Sequence, residues 1–173
     1  MAVLRKSYKI SSNWEGKLYL VLDLDWDYEK LEVHLSMLNY VDDALKRFNH
    51  KKPRNPQEQP YPHTKPVYGA KSQFADPEDT SEILSQADKK FIQEVTGKFL
   101  YYARALEATM LPALGSIASQ HANPTEWTMQ KAKQLLDYSA THPDAIITYR
   151  DSDMVLDGHS SASYLSESGS RSR

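Results

Sequence analysis

Between Lys51 and Pro77 lie Pro53, Pro56, Pro60, Pro62, Pro66 and Pro77. Each removes a backbone donor and fixes φ at about −65°, so neither a helix nor a central strand can run through this stretch, and an extended connector is expected. It divides the 173-residue chain into a front with strand patterning and a back with helical patterning. That length allows one domain or two small ones sharing a core, and is too short for a complete polymerase.

In front of the connector, Lys17 to Tyr28 alternates, with Leu18, Leu20, Leu22, Leu24, Trp26 and Tyr28 in one register and Tyr19, Val21, Asp23, Asp25 and Asp27 in the other. Alternation over this length predicts one strand with a single buried face. Glu29-Lys30 supplies a turn, and Leu31, Val33 and Leu35 continue as a second strand, making a hairpin. Asn39 is placed to cap a helix beginning at Tyr40, in which Tyr40, Val41, Ala44, Leu45 and Phe48 form an amphipathic stripe.

Behind the connector, Ser85 to Met110 is predicted helical, with an apolar face of Phe91, Ile92, Val95, Phe99, Leu100, Tyr102, Ala103 and Leu106. Gly97 interrupts it, at about 1 kcal/mol relative to alanine unless a second helix approaches closely there. A helix over 111–121 with Pro112 at its start, and another over 125–139 opened by Asn123-Pro124, complete a bundle. Ala145 to Tyr149 and Met154 to Leu156 read as a short strand pair without partners, hence with a bare sheet edge. Ser166 to Arg173 is too polar to bury itself.

The fold class expected is therefore α+β: a hairpin with a thumb-like helix (1–49), a proline-rich basic connector (50–82), a helical bundle (83–142) and an incomplete strand pair with a polar tail (143–173). No apolar run approaches the roughly 18 to 20 residues of a spanning helix, and neither a signal peptide nor a membrane anchor is expected. The absence of cysteine excludes disulfides, thiolate zinc sites and cysteine nucleophiles, and suits a reducing compartment, cytoplasmic or nuclear.

A net charge of −2 gives no global attraction to nucleic acid, but the charge is unevenly placed. Lys46, Arg47, Lys51, Lys52, Arg54 and Lys65 face the single acid Glu58, and follow the acidic stretch Asp23, Asp25, Asp27 and Glu29. With Phe48, Tyr61 and Tyr68 interleaved, the basic segment has the makings of a phosphate-tracking surface with stacking rings, set against the plainer reading of a solubilising linker.

Three other constellations fail on context. Tyr40-Val41-Asp42-Asp43 spells a Tyr-x-Asp-Asp metal box, yet two-metal chemistry needs such a box at a hairpin tip, and here it opens a helix whose dipole explains the acids. Asp23, Asp25 and Asp27 share a strand face but are about 6 to 7 Å apart, too far to converge on one ion unaided. Gly158-His159-Ser160-Ser161-Ala162 imitates a nucleophile elbow without the following helix or a later histidine. No glycine-rich phosphate loop, HExxH pair or zinc spacing occurs.

Taken in series, Leu24-Asp25-Trp26-Asp27-Tyr28, Leu35-Ser36-Met37 and Tyr40 to Phe48 resemble the end of the reverse transcriptase of copia-type retrotransposons. Gly97 to Arg104, Pro124 to Leu135 and Ala140 to Ala145 resemble the helical stretch that follows it. Asp153 to Leu156 with His159-Ser160-Ser161-Ala162-Ser163-Tyr164 resembles the first ribonuclease H strand. The resemblance implies that the true polymerase box lies upstream of this segment. It also implies that Ser161 stands where the family has its first metal-binding aspartate, which a neutral hydroxyl does not replace in balancing Mg2+. Two further departures are Val21, at a family glycine, and Leu38-Asn39, in place of a Pro-Gly turn.

The resulting expectation is a degenerate polyprotein fragment of RNA-directed DNA polymerase and ribonuclease H ancestry. It would be non-catalytic by itself and without a cofactor, where the ancestral enzyme uses Mg2+. The alternatives are a nucleic-acid-binding module built on residues 46–65, and an interaction protein that self-associates through exposed strand edges.

Overall fold

A computed structural model describes residues 6–9, 12–62 and 79–160. The fold is α+β, with, among the described residues, a four-stranded antiparallel sheet in the order β1-β2-β3-β4 and four α-helices. The strands are β1 (Leu18–Tyr19), β2 (Leu22–Asp27), β3 (Glu32–Ser36) and β4 (Ile147–Arg150); the helices are α1 (Tyr40–Arg47), α2 (Gln86–Ala105), α3 (Leu111–Ser119) and α4 (Glu126–Thr141).

The single strand expected over Lys17–Tyr28 is two strands. Leu20 and Val21 take φ of 48° and 72° and reverse the chain, pairing Leu18 with Asp23 and Tyr19 with Leu22. Positive φ at both central residues is the geometry of a two-residue hairpin turn, normally carried by Asn or Gly, so side-chain alternation alone could not reveal it. From Leu22 the strand runs on to Asp27, but its burial does not alternate: Asp23 and Asp27 are half-buried and Trp26 is exposed. Leu24 lies beside Leu35 and Leu35 beside Ile147, while Leu22, Leu35 and Ile147 pack against the helical core. The β2–β3 turn is built on Asp27, whose carboxylate accepts from the backbone N–H of Glu29 (3.1 Å) and Lys30 (3.0 Å).

α1 begins at Tyr40, but Asn39 makes no side-chain cap. It sits at φ 60°, and its backbone carbonyl accepts from Asp43 at 2.9 Å. α2 is capped by Ser85 Oγ, which accepts from the Asp88 N–H, and it stops at Ala105 rather than Met110. A 3-10 turn over Ala108–Met110 then leads into α3. Leu106 and Met110 are both buried, and their spacing of four is also what an unbroken helix would show, which is why periodicity ran through the break. Gly97 is no site of close helix approach: a Cβ there would meet nothing within 4 Å. Leu100, assigned to the apolar face, is exposed.

Thr125 caps α4 in a reciprocal box with Thr128, and Leu84 N–H donates to Pro124 O while Glu126 N–H donates to Glu82 O. These bonds hold the starts of α2 and α4 side by side. One core cluster takes in Met37, Val41, Ala44 and Leu45 together with Ile92, Phe99, Tyr102, Leu114, Ile117 and Leu135. The segments on either side of the connector thus contribute to the same interior. Tyr40 stacks on Tyr102 with centroids 5.7 Å apart, and Phe48 meets Phe91 edge-on at 5.6 Å.

The strand pair expected at the end of the chain is not formed. β4 pairs with β3 instead, from Glu32–Arg150 to Leu35–Ile147, reinforced by His34 Nδ1 and Thr148 Oγ1 at 2.8 Å and by Arg150 Nε donating to Glu32 at 2.7 Å. Pairing with β3 seats Ile147 beside Leu35, and both pack against the helical core, whereas Met154, Val155 and Leu156 stay exposed. Residues 151–160 carry no strand. Among the described residues no helix is long and apolar enough to cross a membrane.

Candidate nucleic-acid interface

The basic segment starts on α1. Lys46 and Arg47 lie in its last turn, where the helix dipole favours cations, and both are engaged: Lys46 Nζ is 3.3 Å from Asp43 Oδ1, and Arg47 Nη2 is 3.4 Å from Glu94 Oε2. Such exposed pairs contribute little stability, about 0 to 1 kcal/mol, and they compete with any phosphate for the same charge. Beyond α1, Asn49 at φ 51° turns the chain and His50 N–H donates to Leu45 O at 2.9 Å.

From there the connector is tied along α4. His50 Nε2 lies 2.8 Å from Asp137 Oδ1, the Gln57 N–H donates to Thr141 Oγ1 at 3.0 Å, and Gln134 Nε2 donates to Gln59 O at 3.0 Å. His142 Nε2 is 3.1 Å from Glu58 Oε2, close enough for an ion pair but without hydrogen-bond alignment. Between the ties at His50 and Gln57, Lys51, Lys52 and Arg54 are exposed and form no ion pair among the described residues. Three of the six basic residues singled out from the sequence are thus presented to solvent on a stretch fixed at both ends. Lys65 lies outside the described residues, as does Ser161.

Two of the three rings expected to stack bases are occupied. Phe48 packs on Phe91; Tyr61 is half-buried against the core, with Lys131 Nζ 5.5 Å from its ring centre; Tyr68 lies outside the described residues. Among the described residues, what this surface offers a ligand is charge without stacking. The ties to α4 had no signal in the sequence, because a backbone N–H meeting a threonine hydroxyl 84 positions away leaves no periodic trace.

The acidic candidates have structural roles. Asp42 and Asp43 are exposed in the first turn of α1. Asp23 Oδ2 accepts from Leu38 N–H at 3.2 Å, and Lys30 beside Asp27, with the turn N–H groups, holds that carboxyl below the usual range. Asp25 stands across from His34. No group of three or more His, Asp or Glu side chains among the described residues is placed to hold a metal ion. Gly158 to Ser160 have neither helix nor strand around them. An open groove of about 540 Å³ between the starts of α2 and α4 is lined by Leu84, Phe91 and Met129 together with Asp88, Glu126 and Lys133.

Compared with known proteins, the chain matches no family model, no curated protein and no solved structure.

Proposed function

We propose that the chain is a degenerate piece of a copia-type retrotransposon polyprotein, spanning the end of the reverse transcriptase and the start of ribonuclease H, and that it neither polymerises nor cleaves by itself. The observation that carries this reading is backbone geometry at two departures from the family pattern. Val21, at a family glycine, has φ 72°, and Asn39, in place of the glycine of a Pro-Gly turn, has φ 60°. Both positions keep a conformation suited to glycine while holding another residue, and a β-branched side chain there is an outlier. Drift from a glycine-bearing ancestor fits Val21, whereas asparagine takes this conformation readily by itself, as Asn49 does at φ 51°. Its place of action is inside the cell, in cytoplasm or nucleus.

Purified protein with Mg2+, a primed RNA template and, separately, an RNA–DNA hybrid is expected to give neither extension nor cleavage. Extension that disappears in an Asp42→Asn/Asp43→Asn variant would overturn the proposal.

A second reading is favoured by the solvent-presented trio on the tied connector: weak binding of RNA or DNA through residues 46–65. With Phe48 and Tyr61 both engaged, the described part of the segment offers phosphate charge, and three contacts give a log–log salt slope of about −2 to −3. Replacing Lys51, Lys52 and Arg54 together by alanine should abolish that slope; binding indifferent to both salt and the triple variant removes the reading. The edges of the sheet, unpaired among the described residues, support one further partner, a second copy of the chain.

A further inference from the structure

We infer that Thr148 and His34 form a nucleophile–base pair on the solvent face of the sheet, which takes the acyl group of a small uncharged ester onto the Thr148 hydroxyl and releases it to water. This chemistry is separate from the nucleic-acid readings above. Ile147 packs against the helical core, so Thr148, next along the strand, falls on the opposite face. Asp151 N–H donates to Leu31 O at 3.1 Å, one step beyond the Glu32–Arg150 pairing. Hydrogen-bonded pairs alternate along an antiparallel ladder, so they fall at Val33–Tyr149 and Leu35–Ile147, and His34–Thr148 is a non-hydrogen-bonded pair, the kind that brings side chains closest.

His34 Nδ1 lies 2.8 Å from Thr148 Oγ1. Across the ring, Nε2 is 3.7 Å from Glu32 Oε2, too long for a hydrogen bond but close enough for the charge to act. A carboxylate on that side favours the ring proton on Nε2, which leaves Nδ1 to accept the proton of the hydroxyl. Glu32 is fixed in turn by Arg150, whose Nε donates to the other carboxylate oxygen, Oε1, at 2.7 Å. The same register turns the Thr148 N–H away from β3, towards the edge of the sheet. A nucleophile's own N–H, so placed, is a donor for the oxyanion that forms when its hydroxyl attacks a carbonyl.

In the first step Thr148 Oγ1 bonds to the ester carbonyl carbon while its proton passes to His34 Nδ1, and the carbonyl oxygen takes up the displaced electron pair. The bond from that carbon to the alcohol oxygen then breaks, and the departing oxygen receives the proton from Nδ1. Water next attacks the acyl-threonine, giving its proton to Nδ1; the carboxylic acid leaves, and the proton returns to Oγ1. Nothing is oxidised or reduced. Charge sets the class of ester. Asp25 is exposed beside His34 on β2, and Asp23 and Asp27 share its face, so an anionic acyl group is repelled.

Release of p-nitrophenolate from p-nitrophenyl acetate by the full chain, first turnover included, tests this. Thr148→Val keeps the branched shape that suits a strand and removes the hydroxyl, and its kcat/KM should fall about tenfold or more; His34→Gln should fall as far, since the two groups act as one unit. Thr148→Ser keeps a hydroxyl and should keep most of the rate. Should His34→Gln lose the sheet by circular dichroism, the valine and serine variants decide between them. A parent rate no higher than that of Thr148→Val overturns the inference. So does a rate lost in His34→Gln but kept in Thr148→Val, which would make the imidazole the nucleophile. A preference for the anionic p-nitrophenyl succinate over the acetate overturns the class of ester.

Discussion

Val21 puts a β-branched side chain at φ 72° in the β1–β2 turn. The left-handed region costs an ordinary residue roughly 1 to 2 kcal/mol, and glycine returns about half of that gain through its greater freedom when unfolded. Val21→Gly should therefore stabilise the protein by on the order of 0.5–1 kcal/mol in urea denaturation, an inversion of the usual effect of glycine in a sheet. A second residue-scale expectation concerns His121, whose imidazole is held below its usual range first by burial and then by the Lys89 ammonium; its Nε2 meets Thr96 Oγ1 at 3.1 Å. The folded state prefers the neutral ring, so its contribution is complete above the unfolded value of about 6.5 and is lost as pH falls through the folded value. Thermal melts from pH 7.5 to 5 should show a smaller loss of stability in His121→Gln than in the parent.

At the scale of elements, α4 depends on its first turn. Thr125 accepts from Thr128 N–H, Thr128 Oγ1 accepts from Thr125 N–H, and Thr125 Oγ1 also donates to Asp79 at 2.5 Å. Thr125→Ala breaks the box and the bond to Asp79 together, and should cost about 1–2 kcal/mol by chemical denaturation. The helices were the legible part of this chain. Ser85, Pro112 and Asn123-Pro124 mark their starts, and the apolar spacing on α1 and, Leu100 apart, on α2 follows the core-facing side, because a helix is specified by neighbours three and four apart. The sheet was half legible. Alternation located β2 and β3, but the Leu20-Val21 reversal lacks the residues that normally announce one, and β4's partner is decided by a contact made across the whole bundle. The candidate interface divides likewise: its cations were plain in the sequence, whereas the pairing of Lys46 and Arg47 and the occupation of Phe48 and Tyr61 depend on what folds against them.

Across the whole molecule, one interior joins the front hairpin's helix to the bundle. Leu45 is buried on α1 against that shared core, and Tyr102 on α2 donates to Pro143 O while accepting from Ala145 N–H, tying the bundle to the approach of β4. Leu45→Ala should cost roughly 2–4 kcal/mol, and amide exchange should quicken in α2 and α4 as well as in α1. Acceleration confined to α1 would mean two units folding separately. The closing of the sheet also has a timetable. Thr148 meets His34 across 114 positions, so during synthesis β3 must wait for β4 for roughly 6 to 23 s at about 5–20 residues per second. Throughout that interval Val33 and Leu35 border an open edge on a nascent chain, and a chaperone that grips extended apolar segments has its opportunity then, before Arg150 leaves the ribosome.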